Sequence, residues 1–88
     1  MAPRARGMNK SVHSAEQLAF RQLMIAARKK AGLTQQQLAD RLRKPQSFVA
    51  KFEGGERRLD VVEFLTIVKA IGTDPISILR RAIQPADR

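Results

Sequence analysis

Apolar residues recur along this chain at steps of three and four, in five runs separated by residues that start or stop helices. The first run is Phe20, Met24, Ala27 and Ala31. Ser14 and Gln17 precede it at the spacing of a capping box, and Gly32 follows as a helix stop. Leu18 and Ile25 lie on another side of this helix, where they either pack on the last helix or face another subunit. Thr34 and Gln37 repeat the capping-box spacing and open a short second helix with Leu38, Ala39 and Leu42 inward. Arg43 and Lys44 then make a tight turn. Pro45 suits the first position of a third helix, because its missing N–H had no partner there. Val49 and Phe52 face inward in that helix, and Gly54 and Gly55 end it. Asp60 with Glu63 caps a fourth helix, in which Val61, Phe64, Leu65 and Val68 keep the 3.6 period, Ile71 lies near the end and Gly72 is the stop. Asp74 and Pro75 open a fifth, in which Ile76, Leu79 and Ile83 share a face that is core, dimer surface or partner surface. No stretch alternates like a strand, and no internal repeat is present. The expectation is an all-α fold: a flexible basic arm at 1–13, one helical domain at 14–84 and a polar tail at 85–88.

Composition narrows what such a domain can do. The chain has 88 residues, 43% of them hydrophobic, with no Trp or Tyr. That is room for one modest core and not for a large enclosed active-site cavity. No cysteine is present, which excludes a disulfide framework and cysteine-bearing metal sites. No apolar run approaches the ~20 residues of a membrane span. The basic residues near the start, Arg4, Arg6 and Lys10, lack a following apolar segment, so a secretory signal is not expected either. A cytoplasmic protein is the expectation. His13 is the only histidine and falls in the arm. With no thiol nucleophile, no Gly-rich phosphate loop and no metal-ligand spacing, neither an enzyme nor a cofactor or metal is expected.

Charge points to a partner. The chain carries a net +9, and the stretch from Arg28 to Arg58 holds nine basic and three acidic residues, hence +6 of that total. Such clustering favours a polyanion. The second and third helices, joined by a turn of about four residues, have helix-turn-helix geometry, whose second helix lies in the major groove of duplex DNA. With Val49 and Phe52 inward, that helix presents Gln46, Ser47 and Lys51. Gln can pair with adenine N6 and N7, Lys can donate to guanine O6 and N7, and Ser can serve either. Phe48 either contacts a thymine methyl or covers the edge of the core. Gln35, at a helix start, and Lys44, Arg57 and Arg58, flanking the third helix, are candidates for phosphate contacts. The basic arm either touches phosphates or has no role. Single-stranded RNA is disfavoured, since its recognition usually stacks bases on aromatics and the four Phe are the only aromatic residues.

The segment G-L-T-Q-Q-Q-L-A-D-R-L (Gly32 to Leu42), followed by K-P-Q-S-F-V-A-K-F-E-G-G-E-R-R-L-D (Lys44 to Asp60), resembles the phage-repressor-type helix-turn-helix family, the Xre or Cro/C1 family of bacterial transcription regulators. The resemblance spans roughly residues 17 to 80. It implies a five-helix, lambda-repressor-like domain with helix 3 as the reader of an operator. The family's base-contacting positions match Gln46, Ser47 and Lys51, and its phosphate-binding Gln matches Gln35. A family ion pair between helix 1 and the end of helix 3 maps onto Arg28 and Glu53. Two positions depart from the pattern: Arg43 stands where the family often has Gly, and Pro45 replaces the usual Ser or Thr. One recognition helix per chain suggests a homodimer, placing two such helices about 34–36 Å apart on the duplex. A repressor binding double-stranded DNA is the leading expectation. An antitoxin or other regulator partnered by a protein, such as a toxin or antirepressor, is the alternative.

Overall fold

Five helices make up the described part of the chain: α1 (Ala15–Lys30), α2 (Gln35–Leu42), α3 (Gln46–Glu53), α4 (Val61–Ile71) and α5 (Pro75–Ile83). The computed structural model describes residues 14–83. The anticipated arm at 1–13 and tail at 85–88 lie outside the described residues. Within them there is no strand, no helix long and apolar enough to cross a membrane, and no acidic or histidine cluster that could hold a metal ion.

The helix starts follow from local chemistry. The first amides of a helix lack intrahelical acceptors, so a short polar side chain at the N-cap stabilises them, by about 1 kcal/mol each. Ser14 Oγ accepts from Gln17 N at 3.0 Å. Thr34 and Gln37 form a reciprocal capping box, with Gln37 N donating to Thr34 Oγ1 and Thr34 N to Gln37 Oε1. Asp60 and Glu63 form another at α4. Asp74 Oδ1 accepts from Ile76 N at the start of α5. Helix α3 differs: Pro45 is its N-cap, with extended backbone, rather than its first helical residue, and no side chain caps it. The ring has no acceptor to offer, so the first turn of α3 begins without the device used by the other four.

Helices α1 to α4 end alike. In each, the residue after the last turn has left-handed backbone, and the next N–H reaches back five residues: Leu33 N to Arg28 O, Lys44 N to Ala39 O, Glu56 N to Lys51 O and Thr73 N to Val68 O. This hydrogen-bonded stop satisfies carbonyls that the helix leaves open. Glycine holds the left-handed position in three of the four, Gly32, Gly55 and Gly72, whereas Arg43 holds it in the α2–α3 turn at φ 59°.

The core lies where α1 packs against α3 and α5, and α2 against α3 and α4. Met24, Leu38, Val49, Ile67 and Val68 are fully buried at its centre, ringed by Phe52, Phe64, Ile71 and Ile78. Phe20 tilts against Phe64 with ring centroids 5.4 Å apart. Arg41 Nη1 donates to the Ala70 carbonyl at 2.8 Å, tying α2 to the last turn of α4. The face of α4 differs from the sequence reading, and for α5 the structure decides among the alternatives that reading left open. In α4 the buried stripe is Phe64, Ile67, Val68 and Ile71, leaving Val61 and Leu65 exposed. In α5 only Ile78 is buried, and Ile76, Leu79 and Ile83 face outward. Both helices carry more apolar positions than one stripe can bury. Packing against the neighbouring helices selects the stripe.

The conformation of Arg43 has a measurable cost. A side chain in the left-handed region is strained by about 1–2 kcal/mol, which glycine avoids. Comparing Arg43→Gly with Arg43→Ala removes the charge in both. The Gly variant is expected to be more stable by about 1 kcal/mol, several degrees in melting midpoint for a domain of this size. Equal midpoints would mean that the turn carries no such strain.

Candidate nucleic-acid interface

Helices α2 and α3 are joined by residues 43–45, the short turn of a helix-turn-helix. Val49 and Phe52 are buried, which turns the opposite side of α3 to solvent. Gln46, Ser47 and Lys51 are all exposed there, Ser47 and Lys51 one turn apart on the same face. Lys44 and Arg58 are also exposed, on either side of α3 in the chain. Four sequence-predicted residues are brought into one connected set, and it begins in the core.

Arg28 on α1 and Glu53 at the end of α3 form a buried, two-pronged ion pair. Arg28 Nε donates to Glu53 Oε2 at 2.7 Å and Nη2 to Oε1 at 2.9 Å. Burying two charges is unfavourable unless the remaining donors and acceptors are also satisfied. Here they are: Arg28 Nη1 donates to the Leu33 carbonyl at 2.8 Å, and Gln35 Nε2 donates to Glu53 Oε1 at 2.9 Å. Gln35 then passes the connection outward, its Oε1 accepting from Gln46 Nε2 at 2.6 Å. An unbroken chain of hydrogen bonds thus runs from α1 through Glu53 and Gln35 to the exposed Gln46.

A second residue of α1 meets the same helix end. Arg21 Nη1 donates to the Glu53 carbonyl at 3.4 Å, while its buried Nε has no partner. The guanidinium lies so close to Gly55 that a Cβ there would fall 2.8 Å from Nη1. Position 55 therefore favours glycine for its left-handed backbone, and any side chain there would also have to displace the Arg21 guanidinium. Nothing in the sequence pattern singled out Arg21.

Phe48 sits half-buried at the core edge, its ring edge-on to Phe52 with centroids 5.7 Å apart. Lys44 Nζ and Arg57 Cζ lie 5.4 Å and 4.8 Å from its ring centroid, within cation–π range. Arg57 is also paired with Glu63 through both carboxylate oxygens. The Arg57 hydrogen bond, seconded by the Asp60 N–H, lowers the Glu63 carboxyl pKa to about 2, and Glu63 in turn holds Arg57 above its ordinary value. Glu63 was legible in the sequence only as half of a capping box.

A helix-turn-helix family model matches residues 24–78. No curated protein matches the chain. Among solved structures, an XRE-family like protein from Pseudomonas syringae pv. tomato str. DC3000 is 46% identical. The two superpose with a TM-score of 0.78, over 89% of this chain and 98% of that one.

Two measurements check this geometry. Glu53→Ala strands the buried Arg28 and is expected to cost about 3–5 kcal/mol, read as a large fall in melting temperature. An unchanged midpoint would mean that the pair does not hold the helices. Glu63 is expected to titrate near 2 by NMR, against an ordinary value of 4.5. Because its folded value is depressed, the stability it contributes is complete above about 4.5 and is lost as pH falls from there toward 2. Arg57→Met should return the Glu63 titration toward the ordinary range.

Proposed function

Because this chain belongs to the helix-turn-helix family of XRE-type DNA-binding regulators, we propose that it is a sequence-specific repressor that reads an operator with α3 in the major groove. The observation that carries this reading is the hydrogen-bond chain ending at Gln46. An amide nitrogen has two protons, and Gln35 takes one from Gln46 Nε2. The second proton and the Gln46 carbonyl oxygen are what an adenine requires at N7 and N6. Gln46 therefore meets the base already oriented, with less side-chain freedom to lose on binding. Ser47 and Lys51 read neighbouring bases from the same exposed face. Gln35, Lys44 and Arg58 set the register through phosphates.

The reading unit is a homodimer. Ile76, Leu79 and Ile83 line one shallow groove on α5. Leu79 also borders a second, with Phe20, Leu59, Val61 and Leu65. Together they make an apolar surface running from α5 to the start of α4. Exposed apolar patches of this kind commonly mark association sites, and a second copy buries the same face by two-fold symmetry.

Selection of the purified chain against random duplexes tests the proposal. A palindromic winner with half-sites one helical turn apart is the expected result. Against that winner, Gln46→Ala and Lys51→Ala should each cost about 1–3 kcal/mol and relax one base position. Arg58→Ala should weaken all duplexes alike and reduce the salt slope by about one. Binding without sequence enrichment, vanishing as salt rises, would reject the operator reading. Co-purification of an unrelated small protein on the α5 face would then favour a protein-partnered regulator.

A further inference from the structure

Arg57 lies between α3 and α4, and the sequence alone offers it to a phosphate. The structure engages it elsewhere. Nη2 donates to Glu63 Oε2 at 2.7 Å, and Nη1 donates to Glu63 Oε1 and to the Arg58 carbonyl, each at 3.1 Å. The two ends of the guanidinium fork meet the two carboxylate oxygens, the arrangement with the most directional preference among ion pairs. Glu63 is itself fixed, because its Oε1 also accepts from the Asp60 N–H in the α4 capping box. On its other side Arg57 covers the Phe48 ring, and Phe48 is edge-on to the buried Phe52. A continuous path of contacts therefore joins the first turn of α4 to the first turns of α3.

We infer that Arg57 and Glu63 form a strut that positions α3 and withholds the Arg57 charge from phosphate, so that the pair sharpens discrimination between operator and unrelated duplex. This rests on the duplex-reading function proposed above. Two physical effects act in the same direction. Sequence-independent affinity rises with each phosphate that a protein cation neutralises, through counterion release. An Arg matched by a fixed carboxylate contributes little to that term. Base reading, in contrast, requires side chains held within a fraction of an ångström, which depends on the rigidity of the supporting residues. The Glu53 end of α3 is already fastened to α1 and α2 through Arg28 and Gln35. The strut fastens the same helix at Phe48, close to Gln46 and Ser47. Arg57 and Glu63 act through α3 and are positioning residues, not base contacts.

The test measures salt-dependent affinity of the full chain for its selected duplex and for an unrelated duplex of equal length. It compares wild type with Glu63→Gln and Arg57→Met. Glu63→Gln keeps an oxygen for the Asp60 cap and removes the charge that restrains Arg57. It is expected to strengthen binding to the unrelated duplex several-fold, steepen the salt slope by up to about one and narrow the discrimination. Arg57→Met is expected to weaken only the selected duplex, with the slope unchanged. If Arg57→Met instead weakens both duplexes equally and lowers the slope by about one, Arg57 is a phosphate contact and the inference is overturned. If wild type prefers no duplex, the operator reading fails, and free protein decides the strut. There, Glu63→Gln should shift the Phe48 ring resonances and speed amide exchange at the start of α3, and unchanged spectra would overturn it.

Discussion

The buried pair of Arg28 and Glu53 is the interaction on which the arrangement of this domain depends. An isolated charge in a protein interior is so unfavourable that a structure containing two must keep both partners in place. Arg28 takes both Glu53 oxygens and the Leu33 carbonyl, while Gln35 adds a further donor to Glu53. Helices α1, α2 and α3 and the loop between the first two are thereby joined in one network whose members cannot move independently. The pair contributes less through its own strength than through the penalty on every alternative placement of α3. A hydrophobic contact would let the helix slide or roll by small amounts at little cost. Directional bonds to a fixed guanidinium do not.

What the sequence disclosed and what it withheld separate along the same physical line. Elements set by local chemistry were legible. The capping residues Ser14, Thr34, Asp60 and Asp74 and the stops at Gly32, Gly55 and Gly72 act within a few positions of themselves. Pro45 fell one place earlier than expected, as the cap and not the first residue of α3, because its fixed φ suits either position. The faces of α4 and α5 were not legible. Both helices carry two apolar stripes, and only tertiary packing distinguishes Ile67 and Ile78, which are buried, from Leu65 and Leu79, which are not.

The site divides in the same way. Exposure of Gln46, Ser47 and Lys51 follows from burial of Val49 and Phe52 three residues apart, a periodicity that any reader of the chain can find. The Arg28–Glu53 pair entered through the family resemblance, since its members lie 25 positions apart and no spacing rule joins them. The bond between Gln35 and Gln46 and the pairing of Arg57 with Glu63 required coordinates, because a turn or loop brings their side chains together. Arg21 gave no sequence signal at all. Its position against Gly55 and the Glu53 carbonyl is a matter of shape.

The hydrogen-bonded stops at the ends of α1 to α4 bear on how fast this chain folds. Each reverses or redirects the backbone using partners five residues apart, so successive helices are aimed at one another before any distant contact forms. Chains dominated by such local contacts have little loop-closure entropy to overcome and fold in microseconds to about milliseconds. Newly made protein would then hide its apolar surfaces quickly. The slowest event to expect is the docking of α5 on α1, the helix contact that closes the longest stretch of chain.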